Sequence, residues 1–396
     1  VTDSPLLDSL LAVPTAPPVA PRPAQGPTQQ LEVKGDVAEA TVGLAGAPSR
    51  DELDGRARDL LERNDLDPAE WQVVGFRTSE WTMANGVEGV SARFSFARVG
   101  TAAAGRESLP IDEIVERVRL AGPLTSPGRG QYGLVVALGD MQYGKVDGDG
   151  VEGTVERTFQ GLSRAAAALD ELRERFPVGH VHIGFLGDHI EGFVPQGGAN
   201  AWRTRLTLNE QIRLTRLTML HAMEQFAPRA ARLSMVAVPG NHGEPQRFAG
   251  KGVTRYDDSH DTEALVAVRE AAAMNARAYG HVEFYVPDTD EMTVTLDVAG
   301  TRIGHAHGHQ WRPGKHFDWW EGQAFGGSPL RDADLLMAGH LHHFHVDTKG
   351  PRMFLQPPAL ESESTWWRHA TGDSGHPGIV VAITRDGLTS PIEVIR

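Results

Sequence analysis

Asp334-Leu335-Leu336-Met337-Ala338-Gly339-His340-Leu341-His342-His343-Phe344-His345 is a short apolar strand that runs out into four imidazoles within six residues. On an extended segment, side chains two apart point to the same face, so His340 and His342 form a pair. Neutral imidazole is a common metal ligand, and two on one face make half of a metal site. A solvated histidine-rich turn or an accidental chelator would show the same local pattern. What the other strands end in separates these readings.

Upstream, apolar strands are expected at 134–138, 182–186 and 233–238, separated by helices at 154–176 and 206–226. Continuous apolar strands alternating with helices predict a sheet covered on both faces. After His281 the chain turns strand-rich, at 291–298, 301–306, 334–338 and from Ile379 onward, which predicts a second sheet packed on the first. In α/β folds of this kind, sites form where strands end on one edge. Each strand-end here is polar: Gly139-Asp140-Met141-Gln142, Gly187-Asp188-His189-Ile190-Glu191, Gly240-Asn241-His242-Gly243-Glu244, His305-Ala306-His307-Gly308-His309 and Gly339-His340-Leu341-His342. A single Gly-Asp after a strand is an ordinary turn. Five metal-competent strand-ends within about 200 residues are a constellation.

Composition narrows the chemistry. The 396 residues contain no cysteine, which excludes disulfides, thiolate zinc sites, iron–sulfur clusters and cysteine nucleophiles. Any metal must therefore be held by His, Asp, Glu, Asn or Gln, a set that suits manganese, iron, magnesium or zinc. A formal net charge of −14 argues against a protein that coats DNA generally, while leaving room for a locally basic groove. No apolar run approaches the roughly 20 residues that span a bilayer, and the N-terminus lacks a basic segment followed by an apolar core. The expectation is a cytoplasmic protein with no membrane association.

The ordered set GD-x-Q, GD-x-x-E, GNHGE, HGH and GH-x-H resembles the calcineurin-like metallophosphoesterase superfamily over roughly residues 131–396. The resemblance implies a four-layer α/β/β/α sandwich with two divalent metal ions at the strand ends. It implies one ion held by Asp140, Gln142, Asp188 and His342, with Asp188 bridging to a second held by Asn241, His307 and His340. Gln142 stands where the superfamily usually has histidine; a neutral amide oxygen is a harder and weaker ligand, which leans the site toward manganese. Two ions about 3.5–4 Å apart would polarise a phosphoryl oxygen and activate a bridging water. His242, beside Asn241, would reach the phosphate as transition-state stabiliser or general acid. His305 lies two before His307; the resemblance favours His307 as ligand and gives His305 a supporting or core role. Glu191 and Glu244 are either ligand-orienting partners or solvated loop acids.

For the substrate, five of the eight tryptophans follow residue 310 and sit beside basic groups, as in 311–320 and 366–369. Trp202-Arg203-Thr204-Arg205 is a third such group. Aromatic faces with arginines suit base stacking and phosphate contact, so Trp202, Arg203, Arg205, His309 and Arg312 are expected to bind a nucleic-acid substrate. The tryptophans could equally cap the sandwich or make a homo-oligomer contact. The closest flavour within the superfamily is the DNA-repair exonuclease branch. Only about 50 residues follow the last motif, so a dedicated ATPase partner is not expected, and a stand-alone, phage- or mobile-element-encoded nuclease fits. The competing readings are a phosphomonoesterase or nucleotide pyrophosphatase, and a non-catalytic metal-stabilised binding module.

The remaining chain divides by texture. Residues 1–30 are a Pro/Ala-rich tail expected to be disordered. Residues 31–105 read as a small N-terminal α+β module, with a helix at 49–64, strands at 71–77 and 90–99, and a turn at Asn85-Gly86. Residues 106–130 read as a short helix, 111–120, and a Gly/Pro-rich linker, 121–130.

Overall fold

In Val37-Ala38-Glu39-Ala40-Thr41-Val42 small apolar and polar residues alternate, and Ala38, Ala40 and Val42 are buried, as period-2 alternation requires on a strand covered on one face. The computed structural model describes residues 31–34, 37–44, 50–82, 88–98, 118–122, 124, 130–194, 204–248, 251–252, 254–362, 369 and 375–396. The chain divides into two compact units, Val1–Leu109 and Pro110–Arg396. In the first, β1 (Leu31–Lys34), β2 (Val37–Leu44), β3 (Trp71–Thr82) and β4 (Glu88–Arg98) form an antiparallel sheet in the order β1-β2-β4-β3. Helix α1 (Arg50–Arg63) buries Ala57, Leu60 and Leu61 against Phe94, Phe96 and Trp71 in one cluster. The sequence reading gives α1 and the two later strands but not β1 and β2. The expected turn at Asn85-Gly86 and the tail 1–30 lie outside the described residues.

The second unit carries two sheets. Strands β5 (Tyr132–Leu138), β6 (Val178–Phe185) and β7 (Arg232–Ala237) are parallel neighbours, with helices α2 (Gly150–Leu172) and α3 (Leu208–Phe226) as their crossovers. A short pair, β8 (Arg247–Phe248) and β9 (Lys251–Gly252), precedes α4 (His260–Ala273) and the single turn α5 (Ala276–Tyr279). Then come β10 (Val282–Tyr285), β11 (Val294–Val298), β12 (Thr301–His305), helix α6 (His316–Phe325), β13 (Leu335–Met337), β14 (His345–Lys349), β15 (Arg352–Gln356), β16 (Ile379–Arg385) and β17 (Leu388–Ile395). The first sheet runs β10-β7-β6-β5-β16-β17 and the second β11-β12-β13-β15-β14.

Alternation along the second sheet assigns its two faces. Leu335, Met337 and Leu355 join Val135, Ala137, Val236 and Val380 of the first sheet in a shared core. Their neighbours Leu336 and Phe354 face the other way, onto Trp311, Trp320 and Leu330 beside α6. On the far side of the first sheet, α2 packs on β16, α4 packs on β7 and β10, and α3 lies between the two helices. The layers are therefore α/β/β/α. Helix α3 starts with a capping box, Thr207 accepting from the Glu210 amide while Glu210 accepts from the Thr207 amide. Of the helix expected over 111–120, the described end Val118–Leu120 is helical, and Asn275 donates to the carbonyls of Val118, Arg119 and Ala121. No helix among the described residues is long and apolar enough to cross a membrane.

Candidate metal centre

The parallel strands β5, β6 and β7 deliver their C-terminal loops to one edge, and ladder-like bonds continue past the strands. Leu186 donates to Leu138 at 2.8 Å, Asp140 to Gly187 at 3.0 Å and Val238 to Phe185 at 3.1 Å. β12 and β13 bring the loops after His305 and Met337 to the same place. The His340 amide donates to Asp140 Oδ2 at 2.9 Å, and His307 Nδ1 donates to the Leu186 carbonyl at 2.7 Å. Two glycines make this convergence possible. A Cβ on Gly240 would lie 2.0 Å from Asp188 Oδ1, and one on Gly339 would lie 2.5 Å from Asp140 Oδ2. The backbone is also strained here. Asp140, Gln142, Asp188, His340 and His342 all have positive φ, between 42° and 75°, a region that costs a non-glycine residue free energy and that gathers at functional sites.

The side chains form a connected cluster. Asp188 Oδ2 lies 2.9 Å from His307 Nε2 and 3.9 Å from His242 Nε2, and Asp188 Oδ1 accepts the His242 amide at 2.7 Å. Asp188, His307 and His340 each offer a ligand atom, and these atoms all lie within 4.8 Å of one another. Asp140 Oδ1 lies 3.3 Å from His342 Nε2. Partners on the outer side fix which ring nitrogen faces inward. His307 is held by the Leu186 carbonyl, and His342 Nδ1 donates to Glu361 Oε1 at 2.9 Å. His242 Nδ1 donates to the Glu191 carbonyl at 2.9 Å, with the Glu191 carboxylate 3.4 Å away. Such outer partners are what orient metal-binding imidazoles.

One buried atom at the cluster, Asn241 Oδ1, has no hydrogen bond among the described residues. Buried polar atoms without partners are costly unless something else satisfies them, and a divalent cation would. The donor set of carboxylate, amide oxygen and imidazole fits such an ion. The electrostatics agree. Burial opposes charge on Asp188, but His307 and His242 hold its carboxyl well below the usual range. Burial likewise opposes charge on His307 and His342, yet Asp188 raises the first to about 9 and Asp140 raises the second to about 10. Burial and the adjacent His307 bring His340 down to about 4. The cluster is thus built around ionised carboxylates, and a cation entering it would displace protons from His307 and His342.

No protein-family model and no curated protein matches the sequence. A predicted phosphoesterase from Streptococcus pneumoniae superposes on 66% of this chain and 87% of its own at 13% identity and a TM-score of 0.27. An archaeal phosphodiesterase superposes on 66% of this chain and 99% of its own at 11% identity and a TM-score of 0.30. For Vacuolar Protein Sorting 29 from Cryptosporidium parvum the figures are 66%, 97%, 14% and 0.26. Superpositions this loose decide nothing about chemistry, and none points to a DNA-repair branch or a phage source.

Of the residues singled out from sequence, Asp140, Asp188, His242, His307, His340 and His342 come together in this cluster, and Asn241 follows Gly240 on the loop after β7, next to the Asp188 loop. Gln142 joins the same edge, its amide donating to the Asp188 carbonyl at 3.0 Å and its Oε1 accepting from Lys145 at 2.8 Å. His305 is directed elsewhere, into the space between the sheets, where it bonds His182. The reason is that β12 ends at His305, so the two-residue spacing to His307 no longer places both on one face. The His309 ring lies beside those of His307 and His340, with centroids 5.4 and 6.1 Å away. Arg205 pairs with Glu152 at 3.1 Å, and Arg312 is exposed. Trp311 and Trp320, the latter on the inner face of α6, are core residues, so they offer no face to a base. Trp202 and Arg203, and the group 366–368, lie outside the described residues. Three supporting residues have no sequence signal of their own: Lys145, Asp261 and Glu361. Asp261, fully buried, accepts the amides of Asp188, His189 and Gly240 at 3.0–3.1 Å and so ties two ligand loops together.

Proposed function

We propose that this chain is a metallophosphoesterase that hydrolyses phosphodiester bonds, with nucleic acid as its substrate. The observation that carries the reading is the triplet Asp188–His307–His340, buried but for the part-exposed His340, with the unpartnered Asn241 Oδ1 and with His242 beside it. A divalent cation bound by Asp188, Asn241, His307 and His340, with a second toward Asp140, Gln142 and His342, would polarise a phosphoryl oxygen and lower the pKa of a bound water. The chain's own residues then have distinct tasks. Asp188 has two carboxylate oxygens to share between the two positions. His242 is held through Nδ1 by Glu191, which leaves Nε2 toward Asp188 and the reacting phosphate. Burial opposes its protonation, but Asp188 and Glu191 raise its pKa to about 9. In its protonated form it can give a proton to the leaving oxygen as the bond to phosphorus breaks. The exposed Arg312 supports the nucleic-acid part of the reading. So does Arg205, whose half-exposed pair with Glu152 is the kind that yields readily to a phosphate.

Manganese-loaded protein is expected to cleave bis-p-nitrophenyl phosphate, and His242→Ala to lose turnover by about 100-fold or more while metal binding persists. Full activity in that variant would remove His242 from the mechanism. Parallel incubation with single-stranded DNA, duplex DNA, RNA, mononucleotides and p-nitrophenyl phosphate separates substrates. Turnover of monoesters or mononucleotides alone would replace the nuclease reading with a phosphomonoesterase or pyrophosphatase.

A further inference from the structure

Lys145 enters the centre from the loop that carries Asp140 and Gln142. Its ammonium donates to Gln142 Oε1 at 2.8 Å and lies 3.3 Å from Glu361 Oε1, the same oxygen that accepts from His342. An ammonium has no acceptor, so the atom it meets must be the amide oxygen, one of whose two lone pairs is thereby engaged. The lysine and glutamate side chains are 13% and 5% exposed, so water and salt screen this charge poorly. The backbone keeps the amine in place, with the Lys145 amide donating to the Gln142 carbonyl at 3.0 Å and an isolated bridge to Thr204.

The two ends of the centre differ in a second, independent way. Among the described residues, Asp188, His307 and His340 are the one group of three carboxylate or imidazole residues whose ligand atoms all lie within 4.8 Å of one another. Asp140, Asp188 and His342 do not close up in the same manner. One end is thus gathered and, among the described residues, carries no lysine. The other, which like the first has one amide among its donors, already holds a positive charge in the Lys145 ammonium.

We propose that Lys145 makes the two metal positions unequal: its ammonium, seated between Gln142 and Glu361, supplies part of the cationic charge at the Asp140–His342 end. One divalent cation is then held firmly by Asp188, Asn241, His307 and His340, and a second only loosely. This rests on the metallophosphoesterase reading and adds to it a prediction about ion number and affinity.

The test is metal content after exhaustive dialysis, by inductively coupled plasma mass spectrometry, with calorimetric titration of manganese into the dialysed full chain. Wild type is expected to retain one manganese per chain and to take up a second weakly. Lys145→Met should bind the second at least about tenfold more tightly, since a cation close to the incoming ion is removed. Lys145→Arg should behave as wild type, and His340→Ala should lose the retained ion. If Lys145→Met folds poorly by circular dichroism, Lys145→Gln, neutral but able to hydrogen bond, carries the same expectation. Two equally tight ions in wild type, or an unchanged or weaker second site in the neutral variants, would overturn the role of Lys145 while leaving the phosphoesterase reading intact. A wild-type chain that binds no manganese would overturn both.

Discussion

At the residue level, imidazole spacing in the sequence names candidate ligands but not what holds them. His342 is oriented by Glu361, nineteen residues later, and Glu361 is in turn drawn down to about 2, against its burial, by His342 and Lys145. Nothing in the local sequence around Glu361 marks it, because its partners arrive from other strands. Its contribution can be measured. Glu361→Gln keeps the shape but removes the charge behind His342, and manganese affinity at the Asp140–His342 position is expected to fall about 10–100-fold in a calorimetric titration. Unchanged affinity would mean that Glu361 only fills space. His305 teaches the converse lesson. Its type and spacing suit a ligand, yet the strand ends beneath it and its ring turns into the interior.

At the level of elements, apolar runs and helical periodicity suffice to find β5, β6, β7, α2 and α3. Helix α4 carries no comparable signal, being alanine-rich with only a few large apolar residues, and β1 and β2 rely on alanine and valine at alternate positions. Helix α4 nonetheless organises the site, because its first turn supplies Asp261. That carboxylate takes one amide from Asp188, one from His189 and one from Gly240, so it locks the loops after β6 and β7 at a fixed separation. In Asp261→Ala these buried donors lose their acceptor, at about 1–3 kcal/mol for each donor left unsatisfied. A lower midpoint in urea denaturation is expected, together with weaker retention of the manganese proposed at Asp188, His307 and His340. Loss of stability with wild-type metal retention would restrict Asp261 to a role in folding.

At the scale of the whole molecule, the sheets are joined by more than apolar contacts. His180 Nε2 donates to Ser234 Oγ, Ser234 to His182 Nδ1, His182 Nε2 to His305 Nε2, and His305 Nδ1 to the Val294 carbonyl, each at 2.7–3.0 Å. With every ring neutral the donors and acceptors of this chain match in one direction. Burial, and then Arg232, pull His180 down to about 4, and burial, followed by His305, holds His182 well below its ordinary value. In the unfolded chain both titrate near 6.5. The unfolded state therefore binds more protons between about pH 6.5 and 4, so stability is full above that window and falls through it as acid is added. A lower urea midpoint at pH 5 than at pH 7 is expected, with a flatter dependence in His180→Gln; equal midpoints in the wild type would contradict it. By itself, the sequence determined the alternating α/β texture, the second strand-rich half and the ligand types at each strand-end, because these follow from periodicity and side-chain chemistry. Only the tertiary structure decided that His307 and not His305 joins Asp188, that Trp311 and Trp320 are core, and that Lys145, Asp261 and Glu361 stand behind the ligands. Those outcomes depend on where one strand stops relative to another and on contacts between residues up to about 216 positions apart, such as Lys145 with Glu361, which no local pattern encodes.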